Sequence, residues 1–79
     1  MPRYFFDFHD SRGFHPDDYG DELVGIEEAR RQAVAALPDL NRQSLPDGVL
    51  HTVTCDVRDE AGQVVYRVET MLRGTRIAP

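Results

Sequence analysis

The sequence predicts an α+β fold: a small β-α-β-β domain whose three-stranded, mainly antiparallel sheet carries one amphipathic helix on one face. Three observations support this. Asp21 to Leu40 holds the one sustained helical period in the 79 residues, and Arg3 to His9 alternates as a half-buried strand does. Two further alternating runs, from His51 and from Val64, flank a glycine-containing turn. Residues 1–79 are read as a single domain. A chain this short buries only about 60% of the surface its unfolded form exposes, so stability is expected to lean on a partner.

In the first strand Tyr4, Phe6 and Phe8 form one face, expected to meet the helix, and Arg3, Phe5 and Asp7 the other. Asp10 to Gly20 reads as a loop, pinned by Phe14 and Tyr19, and Tyr19 to Val24 as a short extended segment able to pair with the first strand. The helix starts near Ile26, with Gly25 as N-cap and Glu28 at the third helical position. Ile26, Ala29, Ala33, Val34, Leu37 and Leu40 fall on its apolar stripe, and Glu27 can reach Arg31 on the other side. Pro38 removes an amide donor, so the helix is expected to kink there or to continue as a second short turn from Leu40 to Gln43. A polar connection with Pro46-Asp47-Gly48 as its turn leads to the second strand.

In the terminal hairpin Val53, Cys55 and Val57 alternate with Thr52, Thr54, Asp56 and Arg58; Val64, Tyr66 and Val68 alternate with Val65, Arg67 and Glu69. A four-residue loop, Asp59 to Gly62, sets Val57 against Val64, Cys55 against Tyr66 and Val53 against Val68, with Gly62 supplying the positive φ. Because Val64 and Val65 place apolar groups on both faces, the last strand reads as central, in the order second, third, first. From Met71 onward no period is visible, so 71–79 is expected to be a loosely packed tail.

The net charge of -5 is unevenly placed. From Asp7 to Glu28 there are eight acids against Arg12 alone, whereas Arg42 to Pro79 balances five acids with five arginines, and the chain has no lysine. That field disfavours direct nucleic acid binding. No apolar run approaches the roughly 18 residues of a membrane span and the opening lacks a secretory signal's apolar core, so no membrane contact and a cytoplasmic location are expected. Cys55 has no partner for a disulfide and no zinc-type spacing, and reads as a core thiol.

Three groups of residues invite a functional reading. His9, Asp10, His15, Asp17, Asp18 and Asp21 bring imidazoles and carboxylates into thirteen residues, a donor set able to hold a divalent metal, but match neither the calcium loop nor the zinc helix. The expectation is a solvated acidic loop, with Asp10, Asp17, Asp18 and Asp21 as a surface for a basic partner. Asp7 and Asp56 can face each other across the outer sheet face, where paired carboxylates serve as acid and base. That face also places Phe5 and Val65 among Thr52, Thr54, Arg3, Arg58 and Arg67, an apolar centre with polar surroundings that suits an interface built on Phe5, Val65, Arg67 and Thr54. Met71, Leu72 and Ile77 folding back would cover it instead.

Met1-Pro2-Arg3-Tyr4-Phe5-Phe6, the Asp-rich loop with Gly13 and Asp17, and Gly20-x-Glu22-Leu23 ahead of Glu28-Ala29-Arg30 and Ala33 belong to one pattern, completed by Val57-Arg58-Asp59-Glu60-Ala61-Gly62. It resembles a family of short uncharacterised bacterial proteins of this length, a domain of unknown function. The resemblance assigns no activity and no site residue. A strand, a glycine turn, a short strand and a Glu-Glu-Ala helix start are also similar to the HicB-like antitoxin fold, an analogy of fold alone. The expected function is protein association without enzymatic activity or cofactor, as a homodimer or with a protein partner. The alternatives are an antitoxin-like regulator that holds a basic partner with the acidic loop, and a metal-binding protein.

Overall fold

Alternation of Tyr4, Phe6 and Phe8 with Phe5, Asp7 and His9 gives the first strand two unlike faces, and the fold is built on that difference. The computed structural model describes residues 1–10, 12–43, 50–73 and 75–78. In chain order these form β1 (Arg3–Asp10), β2 (Gly13–His15), β3 (Asp21–Glu22), α1 (Ile26–Gln43), β4 (Leu50–Arg58) and β5 (Val64–Arg73). The result is an α+β domain with an antiparallel five-stranded sheet and one helix. The strand order is β2-β1-β4-β5, and β3 also pairs with β1, beside β2.

Two strands beyond the expected three come from the first loop. Gly13 to His15 turns back on Phe8 to Asp10, in a segment expected to be irregular throughout. Asp21 and Glu22 pair with Tyr4 and Arg3, as the short extended segment there allows. The order of the long strands is also corrected. β4, not β5, is central, between β1 and β5, and it lies antiparallel to both. The Val64-Val65 doublet reflects a bulge and not burial on both faces: Arg58 pairs with Val64 but Val57 with Tyr66, leaving Val65 as the extra residue.

The hairpin register shifts accordingly. Asp59 N donates to Gln63 O and Gly62 N to Asp59 O, closing a loop of Glu60, Ala61 and Gly62, one residue shorter than expected. Asp59 Oδ1 also accepts from the Ala61 and Gln63 amides, and Gly62 takes the positive φ of 85°. Cys55 therefore faces Val68 and Val53 faces Thr70, two residues beyond the expected partners. The faces survive, because a two-residue shift preserves the alternation.

Helix α1 starts as the sequence implies: the Gly25 carbonyl accepts the Ala29 amide, and Glu27 and Glu28 occupy the first turn. Its surface pairs are Glu27 with Arg30 and Glu28 with Arg31, one residue closer than the expected Glu27–Arg31. It runs as one element through Pro38 to Gln43. Ala29, Ala33 and Leu37 are fully covered, while Ile26 and Val34, assigned to the same stripe, stay half exposed. Val34 lies about 100° around the axis from Ala33, at the margin of the stripe, and Ile26 is the first helical residue.

The helix lies over β4 and β5 more than over β1. The core beneath it joins Phe6, Leu23, Val53, Cys55 and Val57 to the helical alanines and Leu37, with Tyr4, Phe8, Tyr66 and Val68 packed around. Burial pushes the Cys55 thiol up to about 12, and the carboxylates of Asp56, Asp7 and Asp17 act in the same direction. β5 continues to Arg73, so Met71 to Arg73 belong to the sheet and not to a tail. The alternation of Glu69, Met71 and Arg73 on one face was hidden by their mixed chemistry. Met71 and Ile77 stay exposed and do not fold over the outer face. The turn expected at Pro46-Asp47-Gly48 and the side chains of Leu40 and His51 lie outside the described residues.

Leu37 is 1% exposed, so Leu37→Ala is expected to cost about 2–5 kcal/mol. Arg31→Ala removes an exposed pair partner and is expected to cost well under about 1 kcal/mol. Urea titrations of the two variants measure the contrast, and comparable losses would show that the helix faces are misassigned.

Candidate functional site

The sheet face opposite α1 is assembled by cross-strand neighbours. Phe5 stands beside Arg58, Asp7 beside Asp56 and then Arg67, and His9 beside Thr54 and then Glu69. Asp7 and Asp56 share this face, as their alternation implies, and are adjacent because β4 and not β5 neighbours β1; they are 5% and 8% exposed. Two neighbouring buried carboxylates require counter-charges, and each has one. Arg58 binds Asp7 through Nε at 2.5 Å and Nη2 at 3.2 Å, and Arg67 binds Asp56 in the same way at 2.5 and 3.1 Å. Both arginines use the two-pronged geometry that suits a carboxylate.

Arg58 does more than neutralise. Its guanidinium lies 4.9 Å from the Phe5 ring centroid, a cation–π arrangement, and Nη2 donates to the Asp17 carbonyl at 3.1 Å. Asp17 is a second hub. Its Oδ1 accepts the Tyr19 and Gly20 amides, its Oδ2 accepts the Phe6 amide on the edge of β1 between β2 and β3, and its own amide donates to Asp7. Burial alone would raise both carboxyls. At Asp7 the Arg58 hydrogen bond and the Asp17 amide prevail, against some repulsion from the Asp17 charge; at Asp17 the three amides prevail, aided by the Arg58 charge. Both pKa values fall below the usual 3.8.

Gly20 closes this segment at φ 71°, with its backbone against β1. A Cβ there would stand 2.8 Å from the Tyr4 carbonyl oxygen and 2.9 Å from the Phe5 ring. Gly20→Ala is therefore expected to cost about 1–3 kcal/mol in thermal or urea unfolding. A midpoint equal to that of the native chain would mean that the segment sits elsewhere.

The histidine and aspartate residues of the first loop are dispersed. Asp10, with its side chain 4% exposed, takes the Arg12 amide and the His15 ring at 3.2 Å, and Asp17 turns inward to the backbone. His9 stacks on Phe14 with ring centroids 4.5 Å apart. Asp18 and Asp21 are exposed, so of the four expected acidic contacts these two face solvent. Among the described residues no three His, Cys, Asp or Glu side chains converge as a metal group would.

Of the expected interface residues, Thr54 and Arg67 border a shallow depression of about 330 Å³ with His9, Asp56 and Glu69. Phe5 lies part-buried under Arg58, and Val65 stands at the bulge, 41% exposed. Phe14 and Met71 share the open face, at 54% and 69% exposed. In sequence Phe14 reads as a loop anchor and Met71 as tail, because neither β2 nor the end of β5 carries a visible period. A second depression, about 460 Å³, lies on the helix side beside β1, where α1 covers the sheet least; Phe6, Phe8, His15, Pro16, Asp17, Asp21, Gln32 and Ala36 line it.

The family described as Domain of unknown function (DUF6894) matches residues 3–71. The chain belongs to this family. The matched span begins at the first residue of β1 and ends inside β5, so the family unit contains the whole arginine–carboxylate arrangement. No curated protein and no solved structure matches the chain. No helix among the described residues is long and apolar enough to cross a membrane.

The lowered carboxyls set a pH dependence. A group whose pKa is depressed on folding adds stability above its unfolded pKa and loses it as pH falls through the folded value. The urea midpoint is expected to be level from neutral pH to about 5 and to fall steeply below about 4. Asp7→Asn should cost about 1.5–3 kcal/mol at neutral pH and flatten the acid limb. An unchanged acid limb would mean that Asp7 is not ion-paired in solution.

Proposed function

We propose that this protein is a non-enzymatic association module, which binds protein, in the first place a second copy of itself, through the side of the sheet that α1 leaves open. The supporting observation is the exposure of Phe14, Val65 and Met71 around a centre whose buried charges are already paired. Apolar groups around a neutralised centre are cheap to dry, because docking need not strip water from isolated ions. The same pairing argues against acid–base work by Asp7, since its oxygens are taken up by Arg58 and the Asp17 amide.

Mass in solution as a function of concentration tests the reading. The wild-type chain is expected to exceed one chain's mass at high micromolar concentration, and Phe14→Glu should weaken the assembly by about tenfold or more. Phe14 is exposed, so the variant should keep the native circular dichroism. A chain that stays monomeric and holds no partner protein through this face in cross-linked native cells overturns the reading.

A further inference from the structure

β5 is the terminal strand of the sheet, and nothing among the described residues pairs with its outward edge. Ten residues long, it presents a row of backbone donors and acceptors, with no proline inside it and no lysine in the chain to blunt it. Its one irregularity, the bulge at Val65, lies at the hairpin end. From Tyr66 to Arg73 the edge is a regular template.

The order of residues along this edge is self-complementary. Arg67 and Glu69 flank Val68 on the outer face. Arg67 uses Nε and Nη2 for Asp56 and also feels the charge of Glu69 in its own strand, while Glu69 is exposed and makes no direct ion pair among the described residues. We infer that two copies of this chain pair antiparallel along β5 about a two-fold axis at Val68, joining their sheets into one. This places Arg67 opposite Glu69 of the second copy, and the reverse, so the symmetric contact gains two opposite-charge pairs on one face. Tyr66 meets Thr70 of the second copy on the other face.

Alternative registers are penalised by the same residues. In an antiparallel ladder the residues whose backbone groups point outward exchange the hydrogen bonds and those between them face each other without any, so the nearest other axes lie one residue away, at Arg67 or Glu69. Either sets a like charge directly opposite itself. The charge pattern thus selects both the occupant, a second copy, and the register.

This inference rests on the association reading and adds to it a contact separate from the open face, the β5 edge. The test compares the full wild-type chain with Glu69→Arg by sedimentation, and follows disulfide formation in Val68→Cys and Thr70→Cys under mild oxidation. Cys55 is buried and does not compete. The wild type is expected to be a dimer, and Glu69→Arg, which turns both attractions into repulsions at an exposed position, should raise the dissociation constant about tenfold or more. Val68→Cys, on the axis, should bridge to itself, and Thr70→Cys, opposite Tyr66 of the second copy, should not. A dimer insensitive to Glu69→Arg, or equal bridging by the two cysteine variants, overturns the edge pairing; if that dimer is weakened by Phe14→Glu, association through the open face still stands. A monomeric wild type overturns the pairing, and the association reading then depends on a different protein being held by the Phe14 face.

Discussion

The guanidinium of Arg58 is the constraint on which the outer half of this molecule depends. Asp7 is buried on the face that no helix covers, and its charge is tolerable only with a cation in direct contact. Arg58 supplies it from a strand 51 residues away in the chain, and in the same position covers Phe5 and holds the Asp17 carbonyl. One side chain thereby ties β4 both to β1 and to the loop that carries Asp17. Asp17 answers from the loop side, spending its carboxylate on the Phe6, Tyr19 and Gly20 amides. Removing Arg58 would leave a buried charge without its cation, and removing Asp17 would leave three backbone amides without their acceptor.

The second pair depends on the bulge. A three-residue loop closed by Asp59 and Gln63, continued without interruption, would bring Arg67 opposite Cys55 in the core and Tyr66 opposite Asp56. One extra residue at Val65 returns Tyr66 and Val68 to the helix side and delivers Arg67 to Asp56. The bulge therefore reconciles a tight turn with the placement of charge.

Much of this is legible in the sequence alone. Strand faces follow from alternation, the helix start from Gly25 and its acidic first turn, and the common face of Asp7 and Asp56 from parity, whereas their adjacency depends on β4 lying beside β1. What escaped reading depends on interactions between distant segments. No periodicity marks a three-residue strand such as Gly13 to His15, and none announces that Val64-Val65 is a bulge and not a doubly buried strand. Asp17 looked like one of several solvent-facing acids, because composition cannot tell a carboxylate turned to the backbone from one turned to water. The charges on the open face were all visible in sequence; which arginine answers which aspartate was not.

The two margins of the sheet are unlike, and the difference bears on how large an assembly can grow. A filament needs two open edges per molecule, so that each addition leaves another site for the next. Here the margin beside β1 is divided between β2 and β3, and the Phe6 amide between them is already capped by Asp17. Only the β5 margin is continuous among the described residues. In the proposed edge pairing, using that margin once would leave no second continuous margin among the described residues, so growth would end at two chains and the obstruction on the far side would oppose fibrous polymerisation.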